Sequence, residues 1–335
     1  GAGSADRTEP DERVGALVQP SQQPGDLRDV VGQPEAREAL TIAAAGGHHL
    51  FLMGLPGAGK SMLASRLPGL LPDLSDDEAL EVTAIHSVAG TLASRVQLHR
   101  RPPYQDPHHT TTLAALVGGG TGIPRPGAAS RAHRGVLFLD EAPEFDARVL
   151  DSLRQPLEQG ELVIHRSQGS ARFPARFMLV LAANPCPCGR ASQRGSSCTC
   201  TATACRRYLG RLSGPLLDRV DLQVQLLPVS RAHLDGAAGG ESTAVVATRV
   251  AQAREAQRAR WAGTGWTLNG EVPGPWLRGP MKLPSKATSD LDRALDRGLL
   301  SVRGYDRVLR VAWTAADLRG RDAPDVTDVG LALTL

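Results

Sequence analysis

Three continuous apolar runs stand out along the first two thirds of the chain, with helical patterns between them. They are "HLFLM" at 49–53, "GVLFLD" at 135–140 and "RFMLVLAAN" at 176–184. Runs that are apolar at nearly every position are typical of strands buried on both faces of a parallel sheet. The chain from about 29 to 228 therefore predicts an α/β layer fold, with functional residues at the carboxyl ends of these strands.

The last third of the chain has a different pattern, with little strand character. Residues 241–261 predict a charged helix, 262–284 a connector containing Pro, Gly and Trp, and 285–335 further helices. We expect one of these helices in "SDLDRALDRG", with Ser289 as its cap and Gly298 at its end, and another in "SVRGYDRVLRVAWTAADLRG". This part predicts a small helical domain.

The predicted organisation has three parts. Residues 1–26 are polar, rich in Pro, Gly and Gln and without periodicity, so we interpret them as a linker or a cloning remnant. They lack the charged and then apolar layout of a signal peptide. The α/β domain is expected at 27–228 and the helical domain at 229–335.

Composition narrows the class of protein. No stretch of the 335 residues approaches the roughly 18 uncharged apolar residues of a membrane span, so no membrane is expected as a partner. Five cysteines are too few for a disulfide scaffold, which favours a reducing cytoplasm. The net charge of +3 does not by itself indicate nucleic acid, so any such case depends on where the basic residues lie.

The strongest chemical signal is "GLPGAGKS", directly after the first predicted strand and before a helical pattern. In a phosphate-binding loop the glycines let backbone N–H groups surround phosphate oxygens, the lysine reaches the β and γ phosphates, and the serine hydroxyl binds Mg²⁺. A chance glycine-rich turn is the alternative, but the strand and helix on either side favour the loop. The predicted ATP-binding residues are Gly54, Pro56, Gly57, Ala58, Gly59, Lys60 and Ser61.

Acidic and amide side chains end the other two predicted strands. "VLFLDE" ends in Asp140, a candidate Mg²⁺ ligand, and Glu141, a candidate base that orients the attacking water. Asn184 ends the third strand and is placed to reach the γ phosphate or the water. The alternative is two acids that merely end a strand at the surface. Together with the phosphate loop, these residues predict one ATP- and Mg²⁺-binding crevice.

Several longer stretches resemble the magnesium-chelatase-like AAA+ ATPases of the ComM/YifB type, from about residue 27 to the end of the chain. The resemblance implies an AAA+ P-loop fold with a parallel sheet and a helical lid, assembled with nucleotide or DNA as a homo-hexameric ring. It also implies, for the ComM branch, a DNA helicase that promotes branch migration in natural transformation. Family members usually carry an N-terminal Lon-protease-like domain, which we expect this chain to lack. The matching stretches are "DVVGQPEAREALTIAAAGGHHLFLMGLPGAGKSMLA", "DPHHTTTLAALVGGG", "GVLFLDEAPEF", "LRQPLEQGELVIHR", "NPCPCG" and "LSGPLLDRVDL".

The resemblance assigns further roles. Arg219 matches the arginine finger that reaches the γ phosphate of a neighbouring subunit, Arg303 the sensor-2 arginine, and Asn184 sensor 1. The alternative for Arg219 is a surface ion pair with Asp218 or Asp221. For Arg303 the alternative is an ordinary surface arginine, because other arginines lie on the same predicted helix. In addition, Gly32 and Gln33 match adenine-packing positions, and Leu55 replaces the usual Pro.

Two insertions carry candidate DNA contacts. Asp140 follows Lys60 by 80 residues, which implies a helix-2 insertion that includes a helix capped by Ser75 and Glu78. Its loop "HRRPPYQDPHHTTT" has a composition suited to phosphate and base contacts. His108 and His109 are the candidates there, with ordinary loop or interface residues as the alternative.

The second insertion, "GELVIHRSQGSARFPARF" at 160–177, alternates like a β-hairpin. It predicts a pre-sensor-1 hairpin with His165, Arg166 and Arg172 near its turn. The resemblance implies that such hairpins point into the central pore, where basic tips can follow a sugar-phosphate backbone. A solvated hairpin with ordinary surface arginines is the alternative.

Three functions are compatible with these features. An ATP-driven motor on single-stranded or branched DNA is favoured by the basic hairpin, which has no aromatic residue at its tip. A remodeller of a protein partner, in the manner of magnesium-chelatase ATPase subunits, would be favoured by aromatic and hydrophobic pore loops. A nucleotide-gated scaffold without turnover is disfavoured by intact Glu141 and Arg219.

Four of the five cysteines form two C-x-C pairs after the third strand. They are Cys186, Cys188, Cys198 and Cys200. Four thiolates can close a tetrahedral Zn²⁺ site, and a disulfide within a C-x-C pair would be strained. We predict a structural zinc ion, with unligated loop cysteines as the alternative. The resemblance supplies the same two pairs and leaves Cys205 outside the pattern.

Overall fold

The computed structural model describes residues 25–92, 98–120, 124–166, 169–190, 198–229 and 240–335. Of the predicted linker, residues 1–24 lie outside this part of the chain. The strands are β1 (Leu50–Gly54), β2 (Tyr104–Gln105), β3 (Gly118–Gly119), β4 (Arg125–Pro126), β5 (Val136–Leu139), β6 (Glu161–Arg166), β7 (Gly169–Pro174), β8 (Met178–Ala183) and β9 (Leu222–Leu226).

The described helices divide between the first two thirds and the last third of the chain. In the first two thirds they are α1 (Pro34–Gly46), α2 (Lys60–Leu70), α3 (Asp76–Ala89), α4 (Leu113–Val117), α5 (Ala128–Arg131), α6 (Ala147–Asp151), α7 (Arg154–Gln159), α8 (Ala202–Leu209) and α9 (Gly214–Leu217). In the last third they are α10 (Thr243–Arg260), α11 (Gly274–Arg278), α12 (Ser285–Asp296), α13 (Val302–Leu318) and α14 (Val326–Thr334).

A five-stranded parallel sheet forms the centre of the fold, in the order β2-β5-β8-β1-β9. The three predicted apolar runs are its three central strands, and β5 and β8 are buried at every position. This confirms the predicted α/β fold class. Because all five strands are parallel, their carboxyl ends meet at one edge, which is where the predicted site residues lie.

Both predicted insertions are present. α3 begins after Ser75, whose hydroxyl accepts from the Glu78 backbone while the Glu78 carboxylate accepts from the Ser75 backbone. β6 and β7 pair as an antiparallel hairpin that is separate from the central sheet. The capping-box motif and the alternating pattern therefore both predicted their local structures correctly.

The helical region packs against α1 and the central sheet. α10 and α13 both contact α1, and one apolar cluster includes Ala39 of α1, Val250 of α10 and Leu309 of α13. The predicted boundary at 228/229 therefore stays a prediction. Among the described residues, none of the helices has the length and apolar character that crossing a bilayer requires.

One predicted helix start was wrong. α12 begins at Ser285, directly after Pro284, and Ser289 lies inside it rather than at its cap. The first turn of a helix needs no intrahelical N–H partners, and the backbone of "PSKAT" enters the helix there without a capping side chain, so the later Ser gave a misleading signal. The predicted end is close, because Gly298 adopts a left-handed φ of 67° just after the last turn.

Candidate ATP site and metal centre

The phosphate loop connects the end of β1 to the start of α2. Gly57 and Gly59 have φ values of 76° and 93°, in the left-handed region that favours glycine. Lys60 Nζ donates to the carbonyl oxygens of Gly54 at 2.8 Å and Leu55 at 3.0 Å. The Leu55 side chain is buried in the core, so the loop accommodates the change from Pro without exposing it.

Lys60 also joins the loop to the neighbouring strand end. Its Nζ donates to Asn184 Oδ1 at 3.0 Å, and Asn184 directly follows β8. Burial lowers the pKa of Lys60, and the nearby charges of Asp140 and Glu141 oppose that shift. An ammonium held between carbonyl oxygens and partly removed from water is well placed to interact strongly with phosphate oxygens.

The acidic strand end lies beside the phosphate loop. Ser61 Oγ donates to Asp140 Oδ2 at 2.5 Å, and the backbone N–H of Glu141 donates to Asp140 Oδ1 at 2.8 Å. Mg²⁺ prefers hard oxygen ligands, and Ser61 Oγ and Asp140 Oδ2 are adjacent oxygens of that kind, so they can ligate a shared ion. Glu141 has a φ of 50°, which is uncommon for a residue other than glycine and is typical of functional sites.

His109 lies beside Glu141, and its predicted DNA contact stays a prediction. Its Nδ1 is 3.4 Å from Glu141 Oε2, and the His108 ring lies 4.0 Å from the His109 ring between centroids. β2 pairs in parallel with β5, so the residues that follow both strands arrive at the same edge of the sheet. This placement has no signal in the sequence, because β2 has only two residues.

Gln33 lies just before α1 and connects the start of that helix to the phosphate loop. Its side chain is buried and donates to the carbonyl oxygens of Leu227, at 2.6 Å, and Ala58, at 3.4 Å. Gly32, before it, has a left-handed φ of 70°. The predicted adenine contact of Gly32 and Gln33 stays a prediction, while the side chain of Gln33 has a definite structural role.

Arg219 lies just after α9 and is mostly buried. It forms an ion pair with Glu158 of α7 and donates to the carbonyl oxygen of Pro215. Its partner is therefore neither Asp218 nor Asp221, the two alternatives considered from the sequence. Burial lowers its pKa, and the positive charges of Arg154 and Arg303 add to that shift.

Arg303 lies on the same side of the molecule as Arg219. Its Nη1 donates to Asp218 Oδ2 at 3.3 Å, and its side chain is 69% exposed. Asp218 directly precedes Arg219 in the chain, so this contact places the Arg303 guanidinium beside the segment that carries Arg219. The sequence placed these arginines on separate elements, and the contact between α13 and the segment after α9 brings them together.

The three basic residues of the hairpin lie at different distances from its turn. Arg166 pairs with Gly169 beside the turn, and His165 is exposed next to it. Arg172 is further from the turn, opposite Val163, and its Nη1 donates to Glu161 Oε1 at 3.1 Å. The expectation that Arg172 lies near the turn was wrong, because the strand after the turn extends past it toward the base of the hairpin.

The four predicted cysteines form one compact cluster. The Cys186 sulfur is 3.3 Å from that of Cys188 and 3.8 Å from that of Cys198, and the Cys188 and Cys198 sulfurs are 3.5 Å apart. All four ligand atoms, with Cys200, lie within 4.8 Å of one another, so they can hold a metal ion. In a tetrahedral Zn–S₄ site the sulfurs are about 3.8 Å apart. The Cys186–Cys198 distance equals this spacing and the other two are somewhat shorter.

The cysteine cluster adjoins the ATP site. Cys186 is two residues beyond Asn184, and the turn that follows it brings Gly189 against the phosphate loop. A Cβ at Gly189 would lie 2.6 Å from Pro56 Cγ, so only glycine fits this contact. The position of the cysteine turn and the shape of the phosphate loop are therefore linked.

The parallel sheet, the phosphate loop and the acidic strand end define an AAA+ fold of the P-loop class. The sequence profile described as magnesium chelatase, subunit ChlI, matches residues 26–234, and the profile of its C-terminal part matches residues 240–335. The chain belongs to the magnesium chelatase family, in a ComM/YifB-like form.

Similar proteins are longer than this chain. An uncharacterized protein of Mycobacterium tuberculosis is 59% identical over 92% of this chain and 61% of its own length. YifB of Escherichia coli is 44% identical over 96% of this chain and 61% of its own length. The competence protein ComM of Haemophilus influenzae is 45% identical over 88% of this chain and 57% of its own length. The chain thus spans about three fifths of these relatives.

Proposed function

We propose that the chain is the ATP-hydrolysing part of a ring-forming motor that moves on DNA. One observation carries the ATPase proposal: the ends of β1, β5 and β8 bring an ammonium, a hydroxyl, two carboxylates and an amide to one place. Those groups belong to Lys60, Ser61, Asp140, Glu141 and Asn184. These groups cover the tasks of phosphoryl transfer from ATP to water, which are phosphate binding, Mg²⁺ binding and orientation of the attacking water.

Each residue then has a role. Lys60 and the loop N–H groups bind the phosphates, and Ser61 and Asp140 hold Mg²⁺, which neutralises charge on the β and γ phosphates when bound. Glu141 orients the water and accepts its proton, while Asn184 fixes Lys60 and the γ phosphate relative to each other. His109 holds the Glu141 carboxylate in place before the nucleotide arrives.

The active site is proposed to lie between subunits. Arg219 would leave its ion pair with Glu158 and reach the γ phosphate bound by a neighbouring copy, with Arg303 beside it. Such a contact repeats head to tail, and a repeated head-to-tail contact closes into a ring. A homo-hexamer formed with nucleotide or DNA is the proposed assembly.

DNA is the proposed substrate because of the hairpin and the relatives. Arg166, His165 and Arg172 lie on an extended two-stranded element whose strands pair with each other and not with the central sheet. A similar protein is called a competence protein, a name that fits work on DNA, and we propose helicase activity that promotes branch migration. The experiment is ATP turnover of the chain with and without branched DNA. The turnover rate is expected to rise when DNA is added. A turnover rate that DNA leaves unchanged would favour a protein substrate instead.

The double change Arg166→Ala and Arg172→Ala is expected to weaken DNA binding and to flatten its dependence on salt. Each lost phosphate contact lowers the slope of log K against log salt by about 0.7 to 0.9, so two contacts lower it by less than about two. A fluorescence anisotropy titration at several salt concentrations measures both. The matched control is Arg258→Ala with Arg293→Ala, which removes two exposed, ion-paired arginines from lid helices. Equal affinity in the two double variants would contradict the hairpin contact.

We infer that the cysteine cluster holds one structural Zn²⁺ ion, because four thiolates at tetrahedral spacing leave no open position for catalysis. Elemental analysis is expected to find about one zinc per chain, and Cys186→Ser with Cys188→Ser should remove it and lower the melting temperature. Cys205→Ser is the control, because this thiol lies outside the set of four. Metal-free protein whose melting temperature is unchanged by chelator would contradict the site.

A further inference from the structure

One face of α13 is directed at the segment that carries Arg219. Arg303, Arg307 and Arg310 follow one another at the four- and three-residue spacing that places side chains on the same side of a helix. All three contact residues 217–221, which we call the finger segment. Three cations from a single helix thus contact four of these five residues, on both sides of Arg219.

Arg307 contacts the finger segment on both sides of Arg219. Its Nη1 donates to the carbonyl oxygen of Val220 at 2.7 Å and to that of Leu217 at 3.4 Å. Leu217 is the last residue of α9, where helix carbonyl groups lack intrahelical partners. A charged donor shared by two carbonyl oxygens fixes the backbone between them, and Arg219 is in that interval.

Asp221 anchors the far end of the segment. Its carboxylate accepts from His48 Nδ1 at 3.0 Å and lies 3.6 Å from Arg310 Nη1. His48 is fully buried, and its Nε2 lies 2.8 Å from Thr314 Oγ1 on α13. Burial acts to raise the pKa of Asp221, but the His48 hydrogen bond and the charges of His48 and Arg310 outweigh it and lower that pKa.

We propose that α13 acts as a clamp on the finger segment, in which Arg307 is a positioning residue for Arg219. The helical lid of one subunit would then set the rate of ATP hydrolysis in the site of its neighbour. This inference rests on the proposed function, because it takes Arg219 to act across the interface. A lid that changes position would move the finger through these contacts, while the phosphate loop of the same subunit keeps its nucleotide.

Arg307 is the residue on which the clamp can be tested. Asp221 and His48 are buried partners, so removing one leaves the other uncompensated and threatens folding. Arg307 is half-buried and bonds only to backbone oxygens among the contacts described. Arg307→Ala removes the clamp, and Arg307→Lys keeps a cation that can still donate to both carbonyl groups.

The experiment measures ATP turnover and nucleotide affinity of the full chain. Arg307→Ala is expected to lower kcat by about 10- to 100-fold, the scale of effect that a small misplacement of a catalytic group produces. Its nucleotide Kd should stay within about twofold, and Arg307→Lys should regain part of the loss. The control is Arg293→Ala, an exposed arginine of α12 paired with Asp290, which should leave kcat unchanged.

Mixed assemblies separate a positioning role from general damage. Lys60→Ala chains have an intact clamp and finger but a defective phosphate loop, so adding them to Arg307→Ala chains should restore turnover. The clamp proposal is contradicted if Arg307→Ala hydrolyses ATP at the normal rate. It is also contradicted if co-assembled Lys60→Ala chains restore turnover to Arg219→Ala chains but not to Arg307→Ala chains. Failure to restore Arg219→Ala as well would instead contradict the proposed finger.

Discussion

Replacing Glu141 by Gln is expected to leave ATP binding intact and to lower hydrolysis by about 10²- to 10⁴-fold. The change keeps the size of the side chain and removes the proton acceptor, and general-base catalysis contributes a factor of that size. The phosphate loop contacts of Lys60 do not involve Glu141, so nucleotide affinity should persist. Turnover and a nucleotide-binding titration, made on the same preparation, separate the two effects.

Two further variants sharpen this prediction. Glu144→Gln is the matched control, because Glu144 lies three residues away and pairs with Arg211, so its turnover should match that of the unchanged chain. Lys60→Ala should weaken binding itself, since it removes the ammonium between Gly54, Leu55 and Asn184. Near-normal turnover in Glu141→Gln would mean that another group activates the water.

Replacing Arg219 by Ala is expected to abolish turnover while ATP binding is retained. Arginine fingers contribute about 10³- to 10⁵-fold to phosphoryl transfer. The guanidinium is held by Glu158 and the Pro215 carbonyl oxygen, so its loss leaves the phosphate loop of the same chain unchanged. Mixing Arg219→Ala chains with Lys60→Ala chains should restore activity, because each contributes the part that the other lacks.

The mixing experiment is informative only when both variant chains are in the same assembly. Different affinity tags on the two chains, with capture through one tag, establish that they are. Arg258→Ala, an exposed arginine paired with Glu255, is the control for loss of one positive charge and should remain active alone. Mixed assemblies that contain both chains and stay inactive would exclude a finger that acts across the interface. Activity of Arg219→Ala alone would exclude a finger role altogether.

The central strands could be predicted because their burial leaves a direct mark on the sequence. Strands β1, β5 and β8 have neighbours on both sides and helices on both faces, so they are apolar throughout. β9 is at the edge of the sheet and alternates in burial as "LQVQL", a shorter and weaker signal. β2 has two residues, too few for any pattern, and the place of His109 was lost with it.

The residues of the candidate site also divide into those with a local signal in the sequence and those without one. Asp140 and Asn184 were predictable because each directly follows a recognisable strand, and Lys60 and Ser61 because they end a glycine-rich loop between a strand and a helical pattern. The contacts of Arg219 with Glu158, and of α13 with the finger segment, join elements far apart along the chain. No local periodicity encodes such pairs, because they depend on how the lid packs against the sheet.

The four cysteines are an intermediate case. Their spacing identified the residues, and the described segments 185–190 and 198–201 bring the four sulfurs together. What spacing did not reveal is the contact of Gly189 with Pro56, which places the cluster against the phosphate loop. A loop and a strand end that are distant in sequence become one structural unit there.

Strand displacement on branched DNA tests the central claim most directly. A four-way junction with one labelled strand is incubated with the chain, Mg²⁺ and ATP, and the released strand is quantified over time. Release of the strand is expected to require ATP and to disappear in Glu141→Gln, although that variant still binds nucleotide. A chain that hydrolyses ATP but releases no strand would contradict a DNA motor and would direct attention to a protein substrate.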